Sequence, residues 1–277
     1  MIRFVFALVF AQICLGAPVL AQQDRRPSHC IAIAQTTPGM AYLQKASFRE
    51  PVPDHSVRLR YIAHASFLIQ TEDGLSAVTD FTGFVGNVDF IPDVVTMNHA
   101  HSTHWTANPD PLIPNVLPGW GEFGEGVDHH VDLGSMLVRN VPTDIRSWGG
   151  TVETNGNSIF VFEAAGLCIA HLGHLHHEPS DEQYAALGRM DVVMAPVDGG
   201  LTLPLENMMN VLRRTKARIV IPMHWFADGS LGRFLAGMED AFDVVDTGAH
   251  EITVSLRSLP DRPTIMVLRP AYLREDE

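Results

Sequence analysis

The stretch NHAHSTHW, which runs from Asn98 to Trp105, contains three histidines within six residues. His99, His101 and His104 stand at spacings of two and three residues. Neutral imidazole is the commonest protein ligand for zinc and iron-group ions, so this spacing indicates a metal-binding loop. A polar loop that is simply rich in histidine fits the same residues. The interpretation as a metal site therefore depends on ligands from other parts of the chain.

Four apolar stretches of the chain run directly into residues of the ligand type. The stretches DVVTM, LCIAHLG, DVVMAPV and RIVIPM lead into His99, His174, Asp198 and His224 respectively. Each stretch has the composition of a buried strand, and strand ends are where sites are assembled from distant parts of a sequence. We therefore predict that these four positions converge at one edge of a sheet.

The strands and helices that position these residues can be predicted from turn residues, a capping-box spacing and apolar runs. SFLIQTEDGLSAVTD predicts two strands joined by a turn at Asp73 and Gly74, and SIFVFEAAGLCIAHL predicts the same arrangement around Gly166. SDEQYAALGRM predicts a helix, with Ser180 and Gln183 spaced as a capping box. PLENMMNVLRRT predicts a second helix, and HEITVSL and PTIMVL predict two strands near the C-terminus.

The composition of the chain limits its partners. Its 277 residues are 46% hydrophobic and 18% charged, which is enough for one large α/β domain. The net charge of -13 and the lack of a basic run argue against nucleic acid and against an anionic membrane surface. We therefore expect a small-molecule substrate, no nucleic acid, and no membrane association of the mature chain. The sequence carries no signal of oligomeric state.

The first residues predict a signal peptide. Arg3 precedes an apolar run in MIRFVFALVFAQICLGAPVLA, and small residues follow it, so we expect cleavage after Ala21. An uncleaved membrane anchor is the alternative, although the run is short for a span. We assign 1–21 to the signal peptide, 22–56 to an N-terminal arm and 57–277 to the domain. Export implies a periplasmic or secreted protein in an oxidising compartment.

Two cysteines, Cys30 and Cys168, remain after the expected cleavage. An oxidising compartment allows them to form a disulfide bond, but two cysteines that are distant in sequence give only a weak signal of pairing. Cys168 lies in the apolar run LCIAHL, so a buried free thiol fits it equally well. Both interpretations stay open on sequence grounds.

Taken in order, several segments resemble the metallo-β-lactamase superfamily. They are HASFLIQTEDGLSAVTD, VVTMNHAHSTHW, NSIFVFEAAGLCIAHLGHLHH, MDVVMAPVDGG and IVIPMHW, and the similarity runs from about residue 57 to about residue 234. They look most like the metal-dependent hydrolase branch that includes ascorbate-phosphate lactonase-like proteins. The resemblance implies an α/β fold, a four-layer αββα sandwich, with a metal site at one edge.

The resemblance also implies a ligand pattern: His-x-His-x-Asp-His, a distant His, an Asp after Gly, and a final His. The matching positions are His99, His101, His104 and His224. Three positions depart from the pattern: Thr103 stands in place of the first Asp, Ile145 near the distant His, and His174 in place of the Asp after Gly. A neutral imidazole offers one lone pair and cannot bridge two cations as a carboxylate does. We therefore predict one metal ion per chain, where a standard binuclear centre holds two.

The predicted site combines these residues. The metal ligands are taken from His99, His101, His104, His174 and His224. His104, His174 and His224 form the most economical catalytic set around a metal-bound water, with Thr103 beside them. Further candidates are Asp144, His177, His64 and Asp198. The alternative for Asp144 is a salt bridge to Arg146 or a turn residue, and the alternative for His177 is a solvated loop. A structural hydrogen bond is the alternative for His64, and a turn cap is the alternative for Asp198. Zinc is the expected metal, with iron or manganese as alternatives.

These observations favour an exported metal-dependent hydrolase that uses metal-bound water on an ester, a lactone or a phosphoester. A non-haem iron-type oxidative enzyme is the first alternative, because three or four histidines also suit iron. The second alternative is a non-catalytic metal- or solute-binding protein that retains the fold, since Thr103 replaces an expected carboxylate and fold alone does not determine function.

Overall fold

A computed structural model describes residues 25–32, 47–147, 149–226 and 228–276. The predicted signal peptide lies outside the described residues. None of the helices within these ranges is both long and apolar enough to cross a membrane.

The first sheet of the molecule has six strands. In chain order they are β1 (Ser56–Ala63), β2 (Ser66–Thr71), β3 (Ser76–Val78), β5 (Val94–Met97), β6 (Asn115–Pro118) and β14 (Glu251–Ser255). The spatial order is β14-β1-β2-β3-β5-β6, antiparallel up to β3 and parallel from β3 to β6. The predicted turn between β2 and β3 contains Gly74, which has a φ of 91°. Glycine adopts this conformation without steric cost.

The second sheet has eight strands. They are β7 (His130–Asp132), β8 (Met136–Arg146), β9 (Val152–Ala164), β10 (Leu167–His171), β11 (Val192–Pro196), β12 (Ile219–Met223), β13 (Asp243–Asp246) and β15 (Thr264–Val267). The spatial order is β13-β15-β12-β11-β10-β9-β8-β7. Strands β10, β11 and β12 run parallel and lie side by side, so their carboxyl ends share one edge. A two-stranded sheet pairs β4 (Gly86–Asn87) with β16 (Leu273–Arg274).

Side-chain alternation along the strands places the main core between the two large sheets. On β1, Val57, Leu59 and Tyr61 face this core, where Phe160 and Phe162 of β9 also lie. A strand directs successive side chains to opposite faces, so a period of two divides inner from outer positions. The two packed sheets confirm the predicted sandwich.

The α-helices of the described ranges cover the outer face of the second sheet. They are α1 (His29–Ala32), α2 (Asp181–Leu187), α3 (Leu205–Thr215) and α4 (Asp228–Met238). Met208 of α3 and Phe234 of α4 are fully buried there. The predicted capping box of Ser180 and Gln183 is present at the start of α2. Short 3-10 turns span Glu122–Gly124 and Leu256–Ser258.

The outer face of the first sheet differs from the expected fourth layer. The residues that pack on Leu68 and Val95 of this face include Phe48, Phe81 and Ile113, which lie in connecting segments. In the described part of the chain these segments provide the cover that a helix provides on the opposite side. The connection from β3 to β5 contains Gly83 and Pro92, residues typical of loops.

The N-terminal arm is attached to the second sheet at the residues that the structure describes. Cys30 forms a disulfide bond with Cys168 of β10, across 138 residues of sequence. The buried Glu163 carboxylate accepts hydrogen bonds from the Ser28 hydroxyl and the His29 backbone N–H. The sequence left the pairing of the two cysteines open, and the structure shows that they pair.

Candidate metal centre

Three neighbouring strands of the second sheet end at one edge and deliver three side chains there. His174 follows β10, Asp198 follows β11 and His224 follows β12. His224 has a φ of 55°, in the left-handed region that side-chain-bearing residues rarely adopt. Its backbone N–H donates to the His64 carbonyl at 2.9 Å. Such conformations persist where surrounding contacts enforce them, often at functional sites.

The first sheet meets this edge through the segments that follow β3 and β5. Asp80 follows β3, and the loop from Asn98 to His104 follows β5. The Asn98 side-chain amide donates to Asp80 Oδ1 at 2.8 Å, and its oxygen accepts from the Ser158 backbone N–H at 2.7 Å. The His104 N–H donates to the His101 carbonyl at 2.9 Å, which closes the loop as a tight turn. Asn98 thus fixes the histidine loop to both sheets.

Four imidazoles converge where the two sheets meet. His64, His101, His104 and His224 each offer a ring nitrogen, and these nitrogens all lie within 4.8 Å of one another. His104 and His224 are fully buried, whereas His64 and His101 are partly exposed. The two buried rings could hold an ion away from water, and the two partly exposed rings leave the group accessible to a ligand from solvent. A catalytic metal site needs both properties.

Oxygen atoms orient three of these rings through their Nδ1 atoms. The three pairs are His104 Nδ1 with Asp80 Oδ2 (2.5 Å), His224 Nδ1 with Asp198 Oδ2 (2.9 Å), and His101 Nδ1 with Thr103 Oγ1 (2.7 Å). An oxygen partner at Nδ1 favours the tautomer in which Nε2 keeps its lone pair. This is the arrangement that carboxylates impose on zinc-ligating histidines.

Three other ring nitrogens of the group have no hydrogen-bond partner among the described residues. The Nε2 atoms of His64, His104 and His224 are buried and make no hydrogen bond within the described part of the chain. A buried polar atom without a partner is costly, and native structures rarely leave several together. A metal ion bound by this group of imidazoles would provide partners for such atoms. The residues present therefore fit a metal ion.

Burial favours the neutral form of three of these imidazoles, His64, His101 and His104. It lowers the pKa of His64 to about 3 and the pKa of His104 well below its usual value, with the neighbouring histidines acting in the same direction. Burial also lowers the pKa of His101. Because a metal ion binds the neutral ring, these shifts preserve ligands that ordinary histidines would lose as the pH falls.

The two carboxylates respond differently to burial. Burial raises the pKa of Asp80 to about 6. Burial also raises the pKa of Asp198, but hydrogen bonds from His224 and Thr202 outweigh it, so the net shift is downward. Asp198 Oδ1 further accepts from the backbone N–H groups of Gly200 and Leu201. Asp198 therefore both caps a turn and orients His224, the two roles that its position in the sequence suggested.

His174 lies against the group and continues it into the second sheet. Its Nε2 lies 3.1 Å from His101 Nε2, and its ring centroid lies 4.8 Å from that of His104. Its Nδ1 lies 2.9 Å from His176 Nε2. The Asn157 side chain accepts from the His174 backbone N–H at 2.8 Å. The structure thus brings His174 together with His101, His104 and His224, as the sequence predicted.

His99 does not join the other predicted ligands. Its Nδ1 lies 2.8 Å from Glu153 Oε1, and its ring stacks on Trp120 with centroids 5.0 Å apart. Both residues line a neighbouring cavity of about 800 Å³, which also includes Glu122 and Val152. His99 thus contacts Glu153 and Trp120, whereas His101, two residues later, belongs to the group of four imidazoles.

The other predicted candidates occupy varied positions. Thr103 is exposed and contacts His101. Asp144 lies on β8, and its side chain accepts a hydrogen bond from the Asn155 backbone N–H at 2.9 Å. Ile145 is buried and supplies no ligand atom. His177 is half-buried, and its Nε2 has no hydrogen-bond partner among the described residues.

Three residues that support the site, Asp80, Asn98 and Asn157, are not among those predicted from the sequence. Asp80 is fully buried and has a φ of 42°. It follows an apolar strand in the same way as Asp198 does, so the strand-end pattern contains the signal that identifies it. Asn98 and Asn157 carry no such signal, since their roles depend on backbone atoms that only the fold brings near.

Comparison with known families agrees with this geometry. Residues 58–224 match the family model described as a beta-lactamase superfamily domain. This range begins on β1 and ends at His224, so it includes the four imidazoles that converge.

Two curated relatives are similar over most of their length. A protein of Nanoarchaeum equitans named as a metal-dependent hydrolase is 23% identical over 185 residues, covering 61% of this chain and 84% of the relative. A protein of Salinibacter ruber with the same designation is 24% identical over 212 residues, covering 67% of this chain and 92% of the relative.

Two solved structures share the fold. A protein of Thermotoga maritima, described as a zinc-dependent hydrolase of the metallo-β-lactamase superfamily, aligns with a TM-score of 0.55 and 23% identity, covering 76% of this chain and 98% of that chain. A protein of Parabacteroides distasonis described as a metal-dependent hydrolase aligns with a TM-score of 0.51 and 17% identity, covering 66% and 89% respectively.

Proposed function

This chain belongs to the beta-lactamase superfamily, and we propose that it is a metal-dependent hydrolase whose metal ion is bound by His101, His104 and His224. Each of these rings has an oxygen atom within 2.9 Å of its Nδ1, which leaves Nε2 as the nitrogen available to a metal ion. His64 provides the fourth imidazole of the group, and its buried Nε2 makes no hydrogen bond among the described residues. Three protein ligands with one open position are typical of catalytic zinc sites.

One observation carries this proposal. The Nε2 atoms of His104 and His224 are buried without a hydrogen-bond partner in the described part of the chain, while Asp80 and Asp198 occupy the opposite ring nitrogens. A purely structural pair of buried histidines would have partners at both nitrogens. The pattern of one oriented and one free nitrogen is that of a metal ligand.

We propose zinc as the metal, at one ion per chain. The ligand set is neutral and contains nitrogen only, which suits a borderline cation such as zinc. A second divalent ion nearby would be repelled by the first, and carboxylate ligands normally offset that repulsion. Asp80 and Asp198 are engaged by His104 and His224, so neither is free to bridge two ions. A bound zinc ion supplies Lewis-acid chemistry and makes water nucleophilic near neutral pH.

We propose a carboxylic ester or lactone as the substrate, and a phosphoester as the second choice. Phe226 is 63% exposed, and its ring centroid lies 5.1 Å from that of His224 and 5.4 Å from that of His64. An exposed ring beside the group offers an apolar wall to the substrate. The Arg146 guanidinium donates to the carbonyls of Leu201 and Thr202, which reduces its availability to a phosphate.

Metal analysis and hydrolysis assays test the function together. Purified mature protein is dialysed, its metal content is measured by mass spectrometry, and it is assayed with nitrophenyl esters, aromatic lactones and bis-nitrophenyl phosphate. We expect one zinc ion per chain and ester or lactone hydrolysis, both lost in His224→Ala. His55→Ala is the matched control, because that side chain is 89% exposed. Metal-free wild-type protein, or hydrolysis that survives in His224→Ala, would contradict the proposal.

We also propose that the mature enzyme is exported to the periplasm or the exterior. The Cys30–Cys168 disulfide supports this compartment, because disulfides persist where the environment is oxidising. N-terminal sequencing of protein from the periplasmic fraction should give a start near Gln22. An intact Met1 on protein from the cytosol would remove the proposal.

A further inference from the structure

A chain of hydrogen bonds runs from the backbone of β8 through three histidines. The Arg146 backbone N–H donates to His176 Nδ1 at 2.6 Å. His176 Nε2 then lies 2.9 Å from His174 Nδ1, and His174 Nε2 lies 3.1 Å from His101 Nε2. His101 Nδ1 lies 2.7 Å from the Thr103 hydroxyl, which is exposed to solvent.

The first bond of this chain determines all the others. A backbone N–H is always a donor, so the Nδ1 atom of His176 must be the acceptor. A neutral imidazole with a lone pair at one nitrogen carries its proton at the other, which places the His176 proton on Nε2. That proton is donated to His174 Nδ1, so the His174 proton resides on Nε2. By the same rule His174 donates to His101 Nε2, and His101 donates to Thr103.

We propose that His174 is held as the Nε2–H tautomer and serves as a hydrogen-bond donor to the substrate, not as a ligand of the metal ion. A ring nitrogen that carries a proton has no lone pair for a metal. If His174 were a ligand through Nε2, its Nδ1 would carry the proton and would face the protonated Nε2 of His176. Relieving that conflict would require His176 to move its proton to Nδ1, against the Arg146 N–H. This inference rests on the proposed function and assigns a role within the same site.

The contact between His174 and His101 is consistent with this role. Without metal, the His101 lone pair accepts the His174 proton at 3.1 Å. If His101 held a metal ion through this lone pair, the His174 N–H would lose its acceptor and would be available to a substrate oxygen. A fixed donor aimed at an oxygen that gains negative charge stabilises the transition state of ester hydrolysis. His176 is a positioning residue, because it sets the His174 tautomer without reaching the group of four imidazoles.

Measuring zinc binding in variants distinguishes a donor role of His174 from a ligand role, and the measurement needs no substrate. We expect His174→Ala to retain one zinc ion per chain after dialysis, with the affinity of the wild type in competition with a chelator. His224→Ala should lose the ion in the same assay. Loss of zinc from a folded His174→Ala protein would overturn the donor role and leave the proposed hydrolase intact. Absence of zinc from the wild type would instead contradict the proposed function.

Nuclear magnetic resonance of the unmodified protein provides a second measurement, in which a variant serves only to assign one signal. In zinc-loaded protein with 15N-labelled histidine, we expect the His174 ring to show a proton on Nε2 and an unprotonated Nδ1 without metal coordination. Assignment uses the signal that disappears in His174→Gln. A coordinated Nε2 and a protonated Nδ1 would show that His174 binds the metal and would overturn the inference.

Substitutions at position 176 test the positioning step. His176→Leu removes the donor to His174 Nδ1, so kcat should fall about tenfold to a hundredfold, less than the roughly hundredfold to thousandfold cost of removing a catalytic donor itself. His176→Gln keeps an amide donor near that position and should recover most of kcat. KM and zinc content should stay unchanged in both. Equal loss of kcat in both variants, or loss of zinc in His176→Leu, would contradict the positioning role.

Discussion

At the residue scale, two aspartates decide how two buried histidines face the centre. Asp80 lies 2.5 Å from His104 Nδ1, and Asp198 lies 2.9 Å from His224 Nδ1. The carboxylates come from different sheets, yet they perform the same task, because each holds one ring nitrogen and leaves the other free. Orientation by a carboxylate also makes the free nitrogen a stronger ligand.

Asp80→Asn should weaken zinc binding while leaving the fold intact. The amide keeps the shape of the side chain but removes the charge that favours the His104 Nδ1–H tautomer, and losses of such partners cost about tenfold to a hundredfold in metal affinity. Competition with a chelating dye measures the affinity. Asp144→Asn is the matched control, since Asp144 contacts the Asn155 backbone and not the imidazoles. Equal affinity in Asp80→Asn and wild type would show that Asp80 does not orient a ligand.

The pKa of His64 predicts how the metal-free protein responds to acid. Burial lowers this pKa to about 3, from 6.5 in the unfolded chain, so the unfolded state binds more protons between these values. Stability should therefore be constant above about pH 6.5 and fall as the pH decreases from there towards about pH 3. His64→Gln should have a flatter profile in urea unfolding, and His55→Gln should follow the wild type. A profile unchanged by His64→Gln would contradict this assignment.

At the element scale, the sequence predicts where the residues that follow strands lie, but it does not predict which side chains they contact. His174, Asp198 and His224 follow the parallel neighbouring strands β10, β11 and β12. These residues therefore lie at the same edge of the sheet, whatever the conformation of the loops. The ligand role predicted for His99 did not follow from strand order in this way, because His99 follows β5 of the first sheet. Its contact with Glu153 joins the loop after β5 to β9, across 54 residues of sequence. Hydrophobic periodicity indicates which side chains are buried, but not which loop residue meets which neighbour.

Gly173 shows how tightly the loop before His174 is constrained. It has a φ of 59°, and a Cβ there would collide with both Asn157 Oδ1 and Asn98 Nδ2. These amides fix the backbone of His174 and the histidine loop. Gly173→Ala should lower the free energy of unfolding by more than about 2 kcal/mol, from the left-handed conformation and the displaced amides, and should weaken zinc binding.

Chemical denaturation and dye competition measure the two effects of Gly173→Ala. Gly134→Ala is the control for the conformational part, because Gly134 has a φ of 87° and a Cβ added there would meet no atom within 4 Å. The Gly134→Ala protein should have a lower free energy of unfolding than the wild type and the same zinc affinity. A Gly173→Ala protein that binds zinc as the wild type does would show that the loop tolerates displacement of both amides.

The disulfide between α1 and β10 should contribute measurably to stability. The double variant Cys30→Ser, Cys168→Ser removes a crosslink that spans 138 residues, and such losses cost about 2–5 kcal/mol. Guanidinium denaturation should show this decrease, and addition of a reductant to the wild type should reproduce it. The variant should retain zinc, since neither cysteine belongs to the group of four imidazoles. A denaturation midpoint equal to that of the wild type would contradict the expectation.

At the scale of the whole molecule, the centre is built from both halves of the sandwich. His64, Asp80 and the histidine loop belong to the first sheet, whereas Asp198 and His224 belong to the second. The bridge between the sheets includes the His224 N–H to the His64 carbonyl and His171 Nε2 to the Ala65 carbonyl at 2.7 Å. Sequence similarity over residues 58–224 covers this bridge completely.

Because the ligands come from both sheets, a bound ion ties the two halves together, and the folding equilibrium becomes linked to the supply of metal. A ligand present at a thousand times its dissociation constant adds about 4 kcal/mol to the native state when the unfolded chain does not bind it. The melting temperature should therefore rise with free zinc and fall in chelator, and proteolysis in chelator should begin where the sheets separate. In metal-poor surroundings the metal-free chain would therefore unfold more readily, so the supply of metal would determine how much folded protein persists.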